Sequence, residues 1–228
     1  MDRNSWHLLE EYMFIRMQDS AHDRQHVYRV LNNAIEIAKG EETVNIDVLM
    51  TAALLHDVGR ADERDDPKAD HAITGGDRVY RVLTEMPELA FSTDFAEHVR
   101  QCIRTHRFRR NDPPATIEAR ILFDADKLDV CGAIGIARTL MYSGAHDRPM
   151  YTTFPDGTIR DGKGGQEDSF CREYRFKLEG MYDRFLTKRG AELARERQNT
   201  AVDFYHALLR EVRTGEGRAA FEQLLTDP

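Results

Sequence analysis

Residues 54–59, Leu54-Leu55-His56-Asp57-Val58-Gly59, set an imidazole beside a carboxylate where an apolar helix gives out. Val48, Leu49, Ala52, Ala53 and Leu55 form the helical stripe leading into it. Gly59 is expected to supply the left-handed turn that stops the helix. A histidine and an aspartate so placed lie near the interior, where both are costly to desolvate unless something pairs with them. A divalent cation is the strongest such partner. The plainer reading is a His–Asp hydrogen bond that fixes a turn.

Two further positions have the same character. His26 borders the apolar stripe of Val27 and Val30 near the start of a helix. Asp126 belongs to an acidic cluster, Asp124-Ala125-Asp126-Lys127-Leu128-Asp129, in a helix whose inner side is Ile121, Leu122, Ala125 and Leu128. Aspartates there are destabilising unless they meet a cation. Spacing alone does not bring His26, His56, Asp57 and Asp126 together, but helices packed side by side can do so.

The elements that must position these residues are helical nearly throughout. The first helix is predicted over Ser5–Met17, the second over Asp23–Lys39, and the third ends at His56 with Asn45 or Asp47 as its cap. Arg60–Ala69 reads as a charged loop. A fourth helix starts at Asp70 and contains Gly75-Gly76, unfavourable by about 1 kcal/mol per glycine, which close approach of a backbone or ligand would explain. A fifth covers Thr93–His106 and a sixth Ala115–Val130; Gly132 breaks the chain before a segment to Tyr142. Ser143–Asp168 is rich in glycine and reads as a short β-hairpin or a mobile flap. Helices resume over Phe170–Leu186, Ala191–Val212 and Arg218–Leu225. The expectation is one all-α domain over residues 1–228, with a core at about 20–140 and a C-terminal helical extension at about 170–228.

Composition narrows the function. A net charge of −8 argues against a nucleic-acid surface, which needs a basic footprint. No apolar run approaches the roughly 20 residues of a membrane helix, and the N-terminus lacks a signal-peptide pattern, so a cytoplasmic protein is expected. Cys102, Cys131 and Cys171 are widely spaced and suit apolar packing rather than a disulfide framework.

The order His26, His56-Asp57, Asp126 resembles the metal-dependent HD phosphohydrolase superfamily, whose signature is H…HD…D on an all-helical core. His22-Asp23…His26…Arg29-Val30, Ala53–Asp57, Asp124–Asp129 and Gly132–Arg138 fit in context, the last resembling a small stand-alone bacterial subgroup. The resemblance implies that His26, His56, Asp57 and Asp126 bind a divalent ion: Mn, Fe, Co, Ni, Zn or Mg. It implies attack of metal-activated water on phosphorus, in a small phosphorylated metabolite such as a nucleotide. Asp57, Lys127, His71 and His106 would serve catalysis. By the same resemblance, His71 and His106 could hold a second ion, bind substrate phosphate, or merely cap helices. Lys127 and Arg29 could contact phosphate or form structural ion pairs. Arg104, Arg107, Arg109 and Arg110 could form a phosphate funnel or a solvated basic loop. Asp62, Glu63, Asp65 and Asp66 read as surface charge, with a general base among them as the alternative. The Gly-Tyr-Pro run of cyclic-dinucleotide phosphodiesterases is missing; Arg107-Phe108-Arg109-Arg110 stands in its place. The rival to the enzyme is a metal-stabilised module that senses a nucleotide without turning it over.

Overall fold

The computed structural model describes residues 1–17, 24–89, 91–107, 112–163, 167–212 and 224–225. The fold is all-α with one short hairpin. The described residues fall into two compact units, Met1–Asp129 with Phe185–Ala191, and Val130–Arg184 with Glu192–Pro228. Within them no helix is long and apolar enough to cross a membrane.

The first unit holds α1 (Arg3–Arg16), α2 (Arg24–Ala38), α3 (Ile46–Leu55), α4 (Arg60–Asp65), α5 (His71–Glu85), α6 (Thr93–Thr105) and α7 (Ile117–Leu128). Side-chain caps start several of them: Asn45 accepts from Val48 N, Asp70 from Ala72 N, Ser92 from Phe95 N and Thr116 from Ala119 N. α3 is the hub, packed against α1, α2, α6 and α7. Residues 51–59 are buried without a break, so α3 is apolar all round rather than along one stripe, as a helix at the centre of a core must be. Val27, Val30, Ala34 and Ile37 of α2, Val99, Cys102 and Ile103 of α6, and Ile121, Leu122, Ala125 and Leu128 of α7 close around it.

Three expectations are corrected. Arg60–Asp65 is helical, not loop; its charges are spoken for by ion pairs, which makes a helix without buried side chains tenable. Gly59 is right-handed, at φ −82° and ψ −5°. Its reason is space: a Cβ there would lie 2.2 Å from His71 O and 2.7 Å from Gly75 N, so Gly59 and Gly75 let α5 touch the end of α3. Phe170–Leu186 is not one helix but α9 (Phe170–Glu173), a π-helical turn (Tyr174–Leu178) and a 3₁₀ turn (Met181–Arg184).

In the second unit Gly132, at a φ of +61°, turns the chain into α8 (Gly132–Ala145). The hairpin is present: Thr152 pairs with Arg160 and Thr153 with Ile159, around Gly157 at φ +86°. α10 (Lys188–Val212) follows; its Tyr205 ring stacks on Tyr174 at 4.1 Å. The predicted start of the second helix at Asp23, His22, and most of Arg218–Leu225 lie outside the described residues. Cys102, Cys131 and Cys171 are free and buried.

Candidate metal centre

Five side chains from four places in the chain meet in the first unit. His26 lies in the first turn of α2, His56 caps the C-terminus of α3, Asp57 follows it, His71 is the first residue of α5, and His106 caps the C-terminus of α6. All five are at most 2 % exposed. Asp126, in the last turn of α7, is half-buried beside them.

Asp57 is shared between two groups. Its Oδ2 lies 3.5 Å from His26 Nε2 and 3.6 Å from His56 Nε2. Its Oδ1 lies 3.3 Å from His71 Nε2 and 3.8 Å from His106 Nε2. Asp126 Oδ1 joins the first group, 3.5 Å from His26 Nε2 and 4.0 Å from His56 Nε2. His26 and His56 present Nε2 to each other at 3.3 Å. The sequence quartet is therefore brought together, and His71 and His106 are brought to its other side.

The far nitrogen of each ring explains the aim of the near one. His56 Nδ1 lies 2.8 Å from Ala53 O and His106 Nδ1 2.6 Å from Ile103 O. His26 Nδ1 lies 2.7 Å from Asp129 Oδ2, and His71 Nδ1 2.5 Å from Glu63 Oε2. Each of these partners is an acceptor, so each Nδ1 carries the proton and each Nε2 offers a lone pair inward. Arginines hold the two carboxylates: Arg29 Nε lies 2.6 Å from Asp129 Oδ1, and Arg107 Nη1 3.1 Å from Glu63 Oε1.

These residues fit a divalent cation. Both oxygens of Asp57, His71 Nε2 and His106 Nε2 are buried without a hydrogen bond, an arrangement that is costly unless something charged is bound. With both rings neutral, the Nε2 lone pairs of His26 and His56 face each other at 3.3 Å, a repulsion that a cation between them removes. Ligand atoms around an ion with bonds near 2.1 Å sit about 3–3.4 Å apart, close to the separations found. Two geometrically complete groups exist among the described residues: His26, His56 and Asp57, and Asp57, His71 and His106.

The electrostatics agree. Burial opposes ionisation of Asp57, but the neighbouring His56, Arg60, His26 and His71 outweigh it and hold the carboxyl well below its ordinary value. Burial likewise disfavours the charged His26 ring, yet Asp129, Asp57 and Asp126 push its pKa up to about 9. Burial, with His56 adjacent, pushes His106 down to about 3, so that ring stays neutral.

The remaining candidates sort themselves. Lys127 places its ammonium 4.1 Å over the Phe123 ring. Arg104 pairs with Asp77 at 3.2 Å, and Arg107 with Glu63; Arg109 and Arg110 lie outside the described residues. Asp124 faces away, accepting from Leu186 N, Thr187 N and Thr187 Oγ1 at the start of α10. Asp62 and Glu63 are not plain surface charge: Asp62 takes Arg16 at 2.8 Å and Arg78 at 2.9 Å, and Glu63 holds His71. Three residues were missed. Asp129 stands in the acidic cluster without a role of its own, Glu63 reads as surface charge or a general base, and Arg60, whose Nε lies 2.7 Å from Asp57 Oδ2, reads as loop. The only signal for Arg60 was its place three residues after Asp57.

Residues 24–131 match the HD domain model. Over 199 residues the chain is 29 % identical to the Bacillus subtilis protein YpgQ, covering 86 % of each. The structure of YpgQ in complex with ADP superposes with a TM-score of 0.69 at 25 % identity, covering 91 % of this chain and 95 % of that one. A predicted HD superfamily hydrolase from an uncultured Thermotogales bacterium matches at TM-score 0.61 and 27 % identity, over 90 % and 91 % of the two chains. An HD-superfamily hydrolase from Bacillus thuringiensis matches at 0.66 and 28 %, over 91 % and 97 %. With its helical core and its histidines converging on Asp57, the chain carries an HD domain over residues 24–131 and is similar to proteins described as HD superfamily hydrolases.

Proposed function

We propose that the chain is a divalent-metal-dependent phosphohydrolase acting on a small phosphorylated metabolite, and that this metabolite is a nucleotide. One observation carries the reading: four imidazoles, each with Nδ1 engaged, turn Nε2 onto the two oxygens of a single buried carboxylate. His26, His56, Asp57 and Asp126 are the proposed ligands of a first ion, and His71 and His106 share Asp57 for a second. A divalent ion bound there supplies Lewis acidity and acidifies water near neutral pH, the chemistry that phosphoester hydrolysis needs. The chain's own part is positioning and charge. Arg60, its side chain 24 % exposed at the edge of the centre, is placed to meet a phosphoryl oxygen, as cations must where charge develops on phosphorus. Lys127 is kept as a second phosphate contact, reached by leaving the Phe123 ring. The ADP in the YpgQ complex supports the nucleotide reading. Neither nucleic acid nor membrane enters the reading, the setting is cytoplasmic, and residues 1–228 act as one domain.

The test is turnover. Purified protein is assayed for bound metal, then for phosphate or pyrophosphate release from nucleoside mono-, di- and triphosphates with Mn, Co and Mg. Hydrolysis is expected, and Asp57→Ala should lose more than the about 10–100-fold that follows from disturbing a residue behind a ligand. Tight nucleotide binding without turnover under any metal would make the protein a sensor instead.

A further inference from the structure

The two groups around Asp57 are built to one plan. Each has a histidine capping the C-terminus of a helix, its Nδ1 on the carbonyl three residues back: His56 on Ala53, His106 on Ile103. Each has a histidine in the first turn of another helix, its Nδ1 on a carboxylate held by arginine: His26 on Asp129 with Arg29, His71 on Glu63 with Arg107. The plans then diverge. Asp126 adds a second carboxylate to the first group, whereas the second consists of Asp57, His71 and His106. Negative charge reaches that second group by way of Glu63, through the imidazole of His71.

We propose that Glu63, held by Arg107, is the positioning residue of the second half-site, fixing His71 as a ligand and setting the affinity of the second ion separately from the first. This rests on the two-ion reading above. Arg107 Nη1 also comes within 2.9 Å of His71 Nδ1, but a guanidinium has no lone pair to accept with. The Nδ1 proton therefore goes to Glu63, and Nε2 is left as donor to the metal. Without the carboxylate, Arg107 would hold the opposite tautomer, with its proton aimed where the ion belongs. A carboxylate behind a metal-bound histidine also raises the ring's basicity. Glu63 stands on α4, which contributes no buried side chain, so its replacement should leave the fold in place.

The experiment is a calorimetric titration of Mn²⁺ into metal-free wild type, Glu63→Gln and Glu63→Asp, with no nucleotide present. Wild type should bind in two steps. Glu63→Gln should keep the first step and weaken the second by about 10–100-fold; Glu63→Asp should recover part of the loss. Arg107→Gln, which leaves the carboxylate in place, should weaken the same step by less. An unshifted second step in Glu63→Gln, or equal weakening of both steps, would overturn the assignment while leaving two ions standing. A wild type that takes one ion per chain would remove the second half-site itself and the assignment with it. Because binding is read without turnover, a lack of hydrolysis does not bear on the result.

Discussion

His26 decides how the metal-free protein responds to pH. Its pKa is pushed up from 6.5 to about 9, so between those values the folded protein holds a proton that the unfolded chain does not. Stability is therefore lost as pH rises through that window. His56 and His106 are shifted down by burial. Below pH 6.5 the unfolded chain takes up protons that these rings refuse, so stability is lost as pH falls. The melting temperature of the metal-free protein should peak near pH 6.5, with each proton worth about 1.4 kcal/mol per pH unit, or roughly 3–5 °C in a chain of this size. His26→Asn should remove the alkaline decline, and so should a saturating divalent ion, which needs the neutral ring. At this scale the convergence of His26, His56, Asp57 and Asp126 was legible in their types, because histidine and aspartate on apolar helix faces contradict their surroundings. Glu63 was not, because an acid in a charged run looks the same whether it meets water or an imidazole. Asp129 stood out in its apolar helix, but its pairing with His26 spans 103 residues and has no local mark.

The packing of α5 on the turn between α3 and α4 is the contact that aims the centre. Gly59 and Gly75 touch there, and a Cβ on Gly59 would fall inside the van der Waals shell of His71 O and of the Gly75 backbone. Neither neighbour is the end of a flexible side chain, so the helices must part. Gly59→Ala should destabilise by about 3 kcal/mol, read by denaturant unfolding, and should displace His71 from Asp57. Helix positions were largely readable from apolar period and caps, with Asn45, Asp70 and Thr93 within a residue of where the structure puts them. Gly75-Gly76 reads in the sequence as a close approach of a backbone or a ligand; the structure sets the Gly59 backbone against Gly75 and the Arg100 carbonyl against Gly76. α4 was missed because it has no buried side chain and its acids pair with distant residues, which leaves no apolar period in the sequence. The π-helical turn at Tyr174–Leu178 was missed because a one-residue change of hydrogen-bond register has no compositional mark.

For the molecule as a whole, metal and fold are linked. A ligand at a hundred times its dissociation constant stabilises the state it binds by about 2.7 kcal/mol. Chelation should therefore lower the melting temperature by roughly 5–10 °C, and Mn²⁺ should restore it. If residues 1–228 are one cooperative domain, scanning calorimetry should show a single transition that moves as a whole. Two transitions, of which only one responds to metal, would confine the coupling to Met1–Asp129 with Phe185–Ala191.

The three hidden thiols have a consequence of their own. Cys102 and Cys171, whose pKa values burial drives up to about 12 and about 11, hold almost no thiolate at neutral pH, and Cys131 is shut away with them. Alkylating reagents can reach these sulfurs only while the surrounding helices are apart. Cys102 belongs to one unit, Cys131 and Cys171 to the other. The speed at which each is tagged thus clocks the opening of its own part of the chain, with no foreign label needed.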